Sequence, residues 1–253
     1  MYRSLPKARD IGYDTEQVGN SAGLMGGIAE IVPVAHDTLG DRVHAQLRDM
    51  LICGKFAPGE KVTLRSLARA IGTSPMPVRD ALKQLMVDQA IELLPNRAFR
   101  VPLMTRERFV ELRDIRIVVE GLAAERAAQV ISKSEVDEAA RLSKAFNRCC
   151  DSADPDPSEL IVLNKELHFT VYGAAQMPAL LQIVEGLWTQ IGPVLNLDVR
   201  RGSERINKNI PCEHHERLVA ALRAGDPSES RAALTADLNS AADCILNQDG
   251  FAN

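Results

Sequence analysis

The sequence predicts a mainly α protein: an N-terminal winged helix-turn-helix followed by a C-terminal antiparallel bundle made only of helices. Three observations carry this. Apolar residues recur at three- and four-residue steps over most of the chain. Residues 64–85 read as two short helices joined at Gly72. Only residues 90–94 and 99–103 read as strands, with Pro95-Asn96-Arg97-Ala98 between them as a hairpin tip.

The composition is that of a globular domain, 45% hydrophobic and 25% charged, and 253 residues leave room for two ordinary domains. Aromatics are only 4%, which suits helical cores of Leu, Ala, Val and Ile. No run reaches a membrane span and no secretory segment opens the chain, so a cytoplasmic protein with no membrane partner is expected. The five cysteines (53, 149, 150, 212, 244) are odd in number and form no CxxC pair. They read as reduced thiols.

Charge is unevenly placed. Residues 38–103 hold ten Lys/Arg against six Asp/Glu, whereas residues 104–253 hold seventeen against twenty-three. A basic module joined to an acidic one fits a DNA reader with a regulatory domain.

In chain order, residues 1–37 are Gly-rich with no sustained period and are expected to form a flexible arm. A helix starts at Thr38 and stops at Gly54; Phe56-Ala57-Pro58-Gly59-Glu60 is a turn. Leu64, Leu67, Ala68 and Ile71 then mark a helix that Gly72 ends in a left-handed conformation. Ser74 is placed as the next N-cap, with Pro75 at the first helical position. Val78, Ala81, Leu82 and Leu85 make that helix's apolar face, which leaves Met76, Arg79 and Lys83 pointing elsewhere.

The stretch KFAPGEKVTLRSLARAIGTSPMPVRDALKQLMVDQAIELLPNRAFRV closely resembles the DNA-binding domain of the GntR family of bacterial transcription regulators. The shared pattern is a Pro-Gly turn, a Leu-x-x-Leu-Ala helix, a Ser-x-x-Pro-Val-Arg-x-Ala-Leu helix and an Asn-Arg wing. The resemblance implies DNA contacts at Arg65, Ser74, Arg79 and the wing tip around Arg97, with Met76 on the same face. Arg79 is the candidate to read a base edge, because a guanidinium bonds guanine bidentately. Arg65 and Ser74 would grip phosphates. The competing role for Arg79 is a surface ion pair with Asp80 or Asp88. Two departures from the family stand out: Pro75 replaces an Arg that contacts DNA, and Ala98 replaces the wing glycine. Weaker affinity or an altered operator is the expected consequence.

From Thr105 onward, the chain reads as six antiparallel helices, with Phe109, Leu112, Ile115, Val119, Leu122, Ala123 and Ala127 on the first. Ser134 is expected to cap the second, which runs to about Cys150. The others are expected near 158–174, 178–200, 204–223 and 227–247. Asn164 and His168 are four apart on one helical face, and Glu213-His214-His215 opens a later helix. Two histidines on separate helices, with an oxygen donor beside one, suggest a metal.

LNKELHFTVYGAAQMPALLQIVEGLW and EHHERLVAALRAGD look like the FCD effector domain of the FadR subgroup of the same family. That likeness implies four metal ligands at Asn164, His168, His215 and Asp237, with Asn and Asp standing where relatives often have Asp and His. His215 is preferred to His214 because it alone keeps the spacing to Ala221, Leu222 and Asp226. The set would take a divalent ion such as Zn, Mn, Ni or Mg; the carboxylate favours harder ions. The alternative is a pocket that uses these polar groups directly on an effector. Arg116 is the candidate to pair an anionic effector, against a local ion pair with Glu120.

The expected protein is therefore no enzyme. It is a homodimeric regulator that binds a palindromic double-stranded operator and responds to a small organic acid. Its expected parts are an arm at 1–37, a winged helix-turn-helix at 38–103 and an effector-binding, dimerising bundle at 104–253. The rivals are a metal-dependent hydrolase using Asp237 or Glu166 as base, and a sensor whose DNA binding has weakened.

Overall fold

The computed structural model describes residues 38–95, 97–248 and 251; the arm expected at 1–37 lies outside them, as does Asn96 of the wing. The chain folds as α1 (Leu39–Ile52), β1 (Lys61–Val62), α2 (Leu64–Ile71), α3 (Pro75–Val87), β2 (Glu92–Leu93) and β3 (Phe99–Arg100). Then follow α4 (Arg106–Val130), α5 (Lys133–Cys150), α6 (Pro157–Ala174), α7 (Pro178–Arg200), α8 (Glu204–Asn207), α9 (Ile210–Ala224) and α10 (Pro227–Leu246).

Local chemistry sets most of these boundaries. Thr38 and Asp41 form a capping box on α1, and Thr63 and Ser66 form another on α2. Gly72 ends α2 at φ 74°, the left-handed cap its lack of Cβ allows. Val43, Leu47 and Leu51 of α1 pack with Val78, Leu82 and Leu85 of α3 and with Phe99, giving the winged helix its own core.

The wing differs from expectation in extent. Its strands are two residues each, and an unforeseen β1 joins them in an antiparallel sheet ordered β1-β3-β2. Val62 and Leu93 both pair with Phe99. Gln89 at φ 56° delays the first strand, and Pro102, without an N–H, ends the second early. Among the described residues of the tip, Arg97 is left-handed at φ 62° and Ala98 is not, so the backbone at Ala98 does not call for glycine.

Three expectations for the bundle are corrected. The cap of α5 is Ser132, not Ser134: its hydroxyl accepts from Glu135 N–H while the Glu135 carboxylate accepts from Ser132 N–H at 2.8 Å. The helix expected at 204–223 is two helices, so the bundle has seven among the described residues. Asn209 turns left-handed at φ 54° and Pro211 cannot donate back to a preceding turn, which separates α8 from α9. Finally, Ile115 and Leu122 do not join the core; with Val118 they form an exposed apolar stripe along α4. Alanines 123, 124 and 127 occupy the buried side of α4 instead.

The winged helix and the bundle form a single unit. α1 lies on α7: Arg48 pairs with Glu185 at 2.6 Å, and Asp49 pairs with Lys165 of α6. At Gly192 the backbones nearly touch. A Cβ there would lie 2.8 Å from the Leu51 carbonyl oxygen and 2.9 Å from that of Ile52. Gly192→Ala is thus expected to lower stability by about 1–3 kcal/mol in chemical denaturation, because backbone cannot yield as a side chain can. Unchanged stability would show that α1 separates freely from α7.

Candidate functional site

Two surfaces carry the polar residues of interest. The first is the outer face of α2, α3 and the wing. Val78, Ala81, Leu82 and Leu85 are wholly buried, which turns Met76, Arg79 and Lys83 to solvent. Arg65 on α2 and Arg97 at the wing tip are exposed as well. Arg79 forms no ion pair among the described residues. Asp80 pairs with Lys83 at 3.5 Å, and Asp88 lies 3.9 Å from His44, so both rival partners are engaged elsewhere. Ser74 holds the N-cap position, but its side chain makes no capping hydrogen bond; Pro75 follows at the first helical position. The expected N-cap position is thus occupied, and the hydroxyl is left available.

The second surface is inside the bundle. α6 brings Asn164 and His168, α9 brings His215, and α10 brings Asp237 to one place. Asp237 Oδ2 lies 3.2 Å from His168 Nε2 and 3.9 Å from His215 Nε2. Ligand atoms of these three residues all fall within 4.8 Å of one another. Metal bonds of about 2.1 Å put tetrahedral ligands about 3.4 Å apart, so the spacing suits one cation. His214 stands partly exposed one residue away; the buried member of the pair is His215.

Hydrogen bonding gives an independent test of fit. Among the described residues, Asn164 Oδ1, His168 Nε2 and both ring nitrogens of His215 are buried without a hydrogen-bond partner. The Tyr172 hydroxyl donates to Glu120 and lies 2.9 Å from His168 Nδ1, so it accepts from Nδ1–H. Nε2 of the same ring faces the Asp237 carboxylate. At that distance a proton on Nε2 or a metal ion joins the two groups. The residues present therefore fit a divalent metal ion, and Tyr172 supplies the outer hydrogen bond that fixes a ligating imidazole.

The surrounding charges are paired. Arg116 bonds Glu120 at 2.5 and 3.2 Å and lies over the Trp188 ring at 5.0 Å, so the local ion pair is formed even though Arg116 also lines the cavity. Arg205 of α8 donates to Asp237 Oδ1 at 3.2 Å and to Ser240 at 3.2 Å. Burial alone would raise the Asp237 carboxyl, but His168 and Arg205 hold it well below the usual carboxylate range. Burial pushes His215 down to about 3, against the pull of Asp237, and keeps its imidazole neutral. Burial, and then Glu120, push the Tyr172 hydroxyl well up.

Two guanidiniums thus cancel two carboxylates beside the neutral imidazole of His215. A divalent ion would leave this buried site positive and in need of an anion. The space itself is small, about 40 Å³. That holds an ion with a water or two, not a metabolite. Arg205 went unseen in the sequence, since nothing in its surroundings announces that Asn209 and Pro211 swing a short helix against α10. Glu166, offered as a base for hydrolysis, is exposed on α6 and does not line the cavity.

Comparison with known proteins places both halves. The pattern described as "Bacterial regulatory proteins, gntR family" matches residues 39–101, and the FCD domain matches residues 111–240. The HTH-type transcriptional regulator McbR of Escherichia coli is 29% identical over 78% of this chain and 87% of its own length. A probable D-xylose utilization operon transcriptional repressor of Paenarthrobacter nicotinovorans is 27% identical over 76% and 84%. The solved structure of E. coli McbR/YncC superposes with a TM-score of 0.76 at 25% identity, covering 83% of this chain and 98% of that one. Among the described residues, no helix is long and apolar enough to cross a membrane.

Proposed function

The chain belongs to the gntR family of bacterial transcription regulators and carries an FCD domain; on that premise we propose that its operator affinity is set by a small acidic metabolite bound with a divalent metal in the bundle. Residues 38–103 act as the reading module and 104–253 as the effector-binding and dimerising module, working in the cytoplasm. Arg79 reads a guanine edge from the major groove, Arg65 and Ser74 hold phosphates, Met76 adds an apolar contact, and Arg97 reaches in from the wing. The exposed stripe of Ile115, Val118 and Leu122 supports a homodimer that covers it, and a two-fold dimer calls for a palindromic operator.

Asn164, His168, His215 and Asp237 would hold the metal. When bound, it supplies a positive charge that draws in a carboxylate or hydroxyl. Arg205 and Arg116, buried on the cavity wall, orient that anion while their own carboxylate partners keep them in place. The observation that carries this reading is the bare, buried donor set converging beside two guanidiniums.

The test is selection of bound duplexes from a random pool, followed by gel shift with Zn²⁺ or Mn²⁺ and a panel of sugar acids and dicarboxylates. A discrete palindrome whose affinity responds to one acid is expected. Binding that depends on salt alone, with no preferred sequence, overturns the reading. Pro75→Arg, which restores a cation at the start of α3, is expected to tighten operator binding and steepen log K against log[salt] by about 0.9. Unchanged affinity and slope would show that position 75 faces away from the duplex.

A further inference from the structure

We propose that Asn196 is the residue through which the bundle cavity and the winged helix act on each other, resting on the reading above. Asn196 has two faces. It lines the cavity that holds His168, Arg205 and Asp237. On its other side, its amide Nδ2 donates to the Ile52 carbonyl at 2.6 Å, across 144 residues of chain. Ile52 is the last residue of α1, and its own side chain completes the same cavity wall.

Nothing at this joint has slack. The Asn196 side chain is wedged against Gly54, where a Cβ would lie 2.3 Å from Asn196 Cβ, and Gly192 one turn earlier meets the carbonyls of Leu51 and Ile52. A shift of Asn196 therefore moves the end of α1. α1 in turn shares the winged-helix core with α3 through Val43, Leu47 and Leu51, so α3 follows. α3 carries Arg79.

The cavity's size supplies the direction of the effect. About 40 Å³ cannot admit an organic acid unless a wall gives way. The far wall is tied by a buried chain of polar contacts: Arg116 to Glu120, Glu120 to Tyr172, Tyr172 to His168, and Asp237 to Arg205. The wall built from Asn196 and Ile52 carries one hydrogen bond between neutral groups, and the other ties of α1 to the bundle (Arg48 to Glu185, Asp49 to Lys165, and Arg200 to the Cys53 carbonyl) are made by residues outside the cavity lining. It is the wall that moves when the site fills. By linkage, an operator that holds α1 in one position must change the cavity by the same coupling.

That reciprocity gives a test that needs no effector. The full chain is bound to its selected operator duplex and amide hydrogen exchange is followed. In the wild type, operator binding is expected to change exchange at least five-fold at 192–199 of α7 and 237–245 of α10, as well as on the reading face. In Asn196→Leu, which keeps the branched heavy-atom outline and loses the donor, operator affinity is expected to stay within about three-fold while the change at 192–199 and 237–245 disappears. Asn196→Ala, which only removes atoms, gives the same readout if leucine is not accommodated. An undiminished cavity response in these variants, or a wild-type response confined to 38–103, overturns the proposal. Failure to select any operator overturns the DNA-binding reading instead.

Discussion

Arg79→Ala is expected to weaken binding to the selected operator roughly ten- to a hundred-fold, the cost of one bidentate arginine–guanine contact of about 1–3 kcal/mol. The same variant should retain the wild-type melting temperature, because Arg79 is exposed and has no ion pair among the described residues to lose. Non-specific binding should weaken far less, since it depends on charge summed over Arg65, Arg97 and their neighbours. Fluorescence anisotropy on operator and scrambled duplexes separates these outcomes. An equal loss on both duplexes would move Arg79 from base reading to phosphate contact; no loss on either would remove it from the interface.

His215→Leu is expected to abolish the stabilisation that Zn²⁺ confers, while leaving the metal-free protein within about 1 kcal/mol of the wild type. The wild type, at a metal concentration a hundred times its Kd, should gain about 2.7 kcal/mol, read as a rise in melting temperature. The asymmetry follows from the site. His215 is fully buried and neither ring nitrogen is hydrogen-bonded, so without metal its loss breaks no bond within the protein. Its ring packs edge-on to Phe146 at 4.8 Å, a contact a leucine of similar size keeps in large part. A structural histidine would behave in the opposite way, with large destabilisation and no change in metal response. That result would dismiss the metal site.

How far the site could be read from residues alone varied with the range of the forces involved. The recognition helix was legible because its signals are local: Gly72 for a left-handed cap, Pro75 for a first helical turn, and an apolar spacing that dictates which side Arg79 takes. Asn164 and His168 were legible because a four-residue step on a helix fixes a shared face. His215 and Asp237 came through the family likeness, since no local pattern ties α9 and α10 to α6.

The failures share a cause. Ser134 and Ser132 are both plausible caps two residues apart, and which one wins depends on where Glu135 lands. Ile115 and Leu122 fit a helical period as well as the alanines do. Only packing against α10 and α7 decided that the small residues go inside, where they let neighbouring helices approach closely. Arg205 and Asn196 had no signature, because each acquires its role from a partner tens of residues away.

By itself, then, the amino-acid order determined most of the helices, the ends of α1 to α3, the basic reading face and the kind of donor at each ligand position. These follow from dihedral preference, capping and periodicity, which act within a few residues. The tertiary structure alone decided that bare donors on three helices meet at one point, that Arg205 guards them, and that the wall of their cavity includes the end of α1, the first helix of the winged-helix module. Those facts depend on how rigid helices of set length pack on one another, and no local preference encodes that geometry.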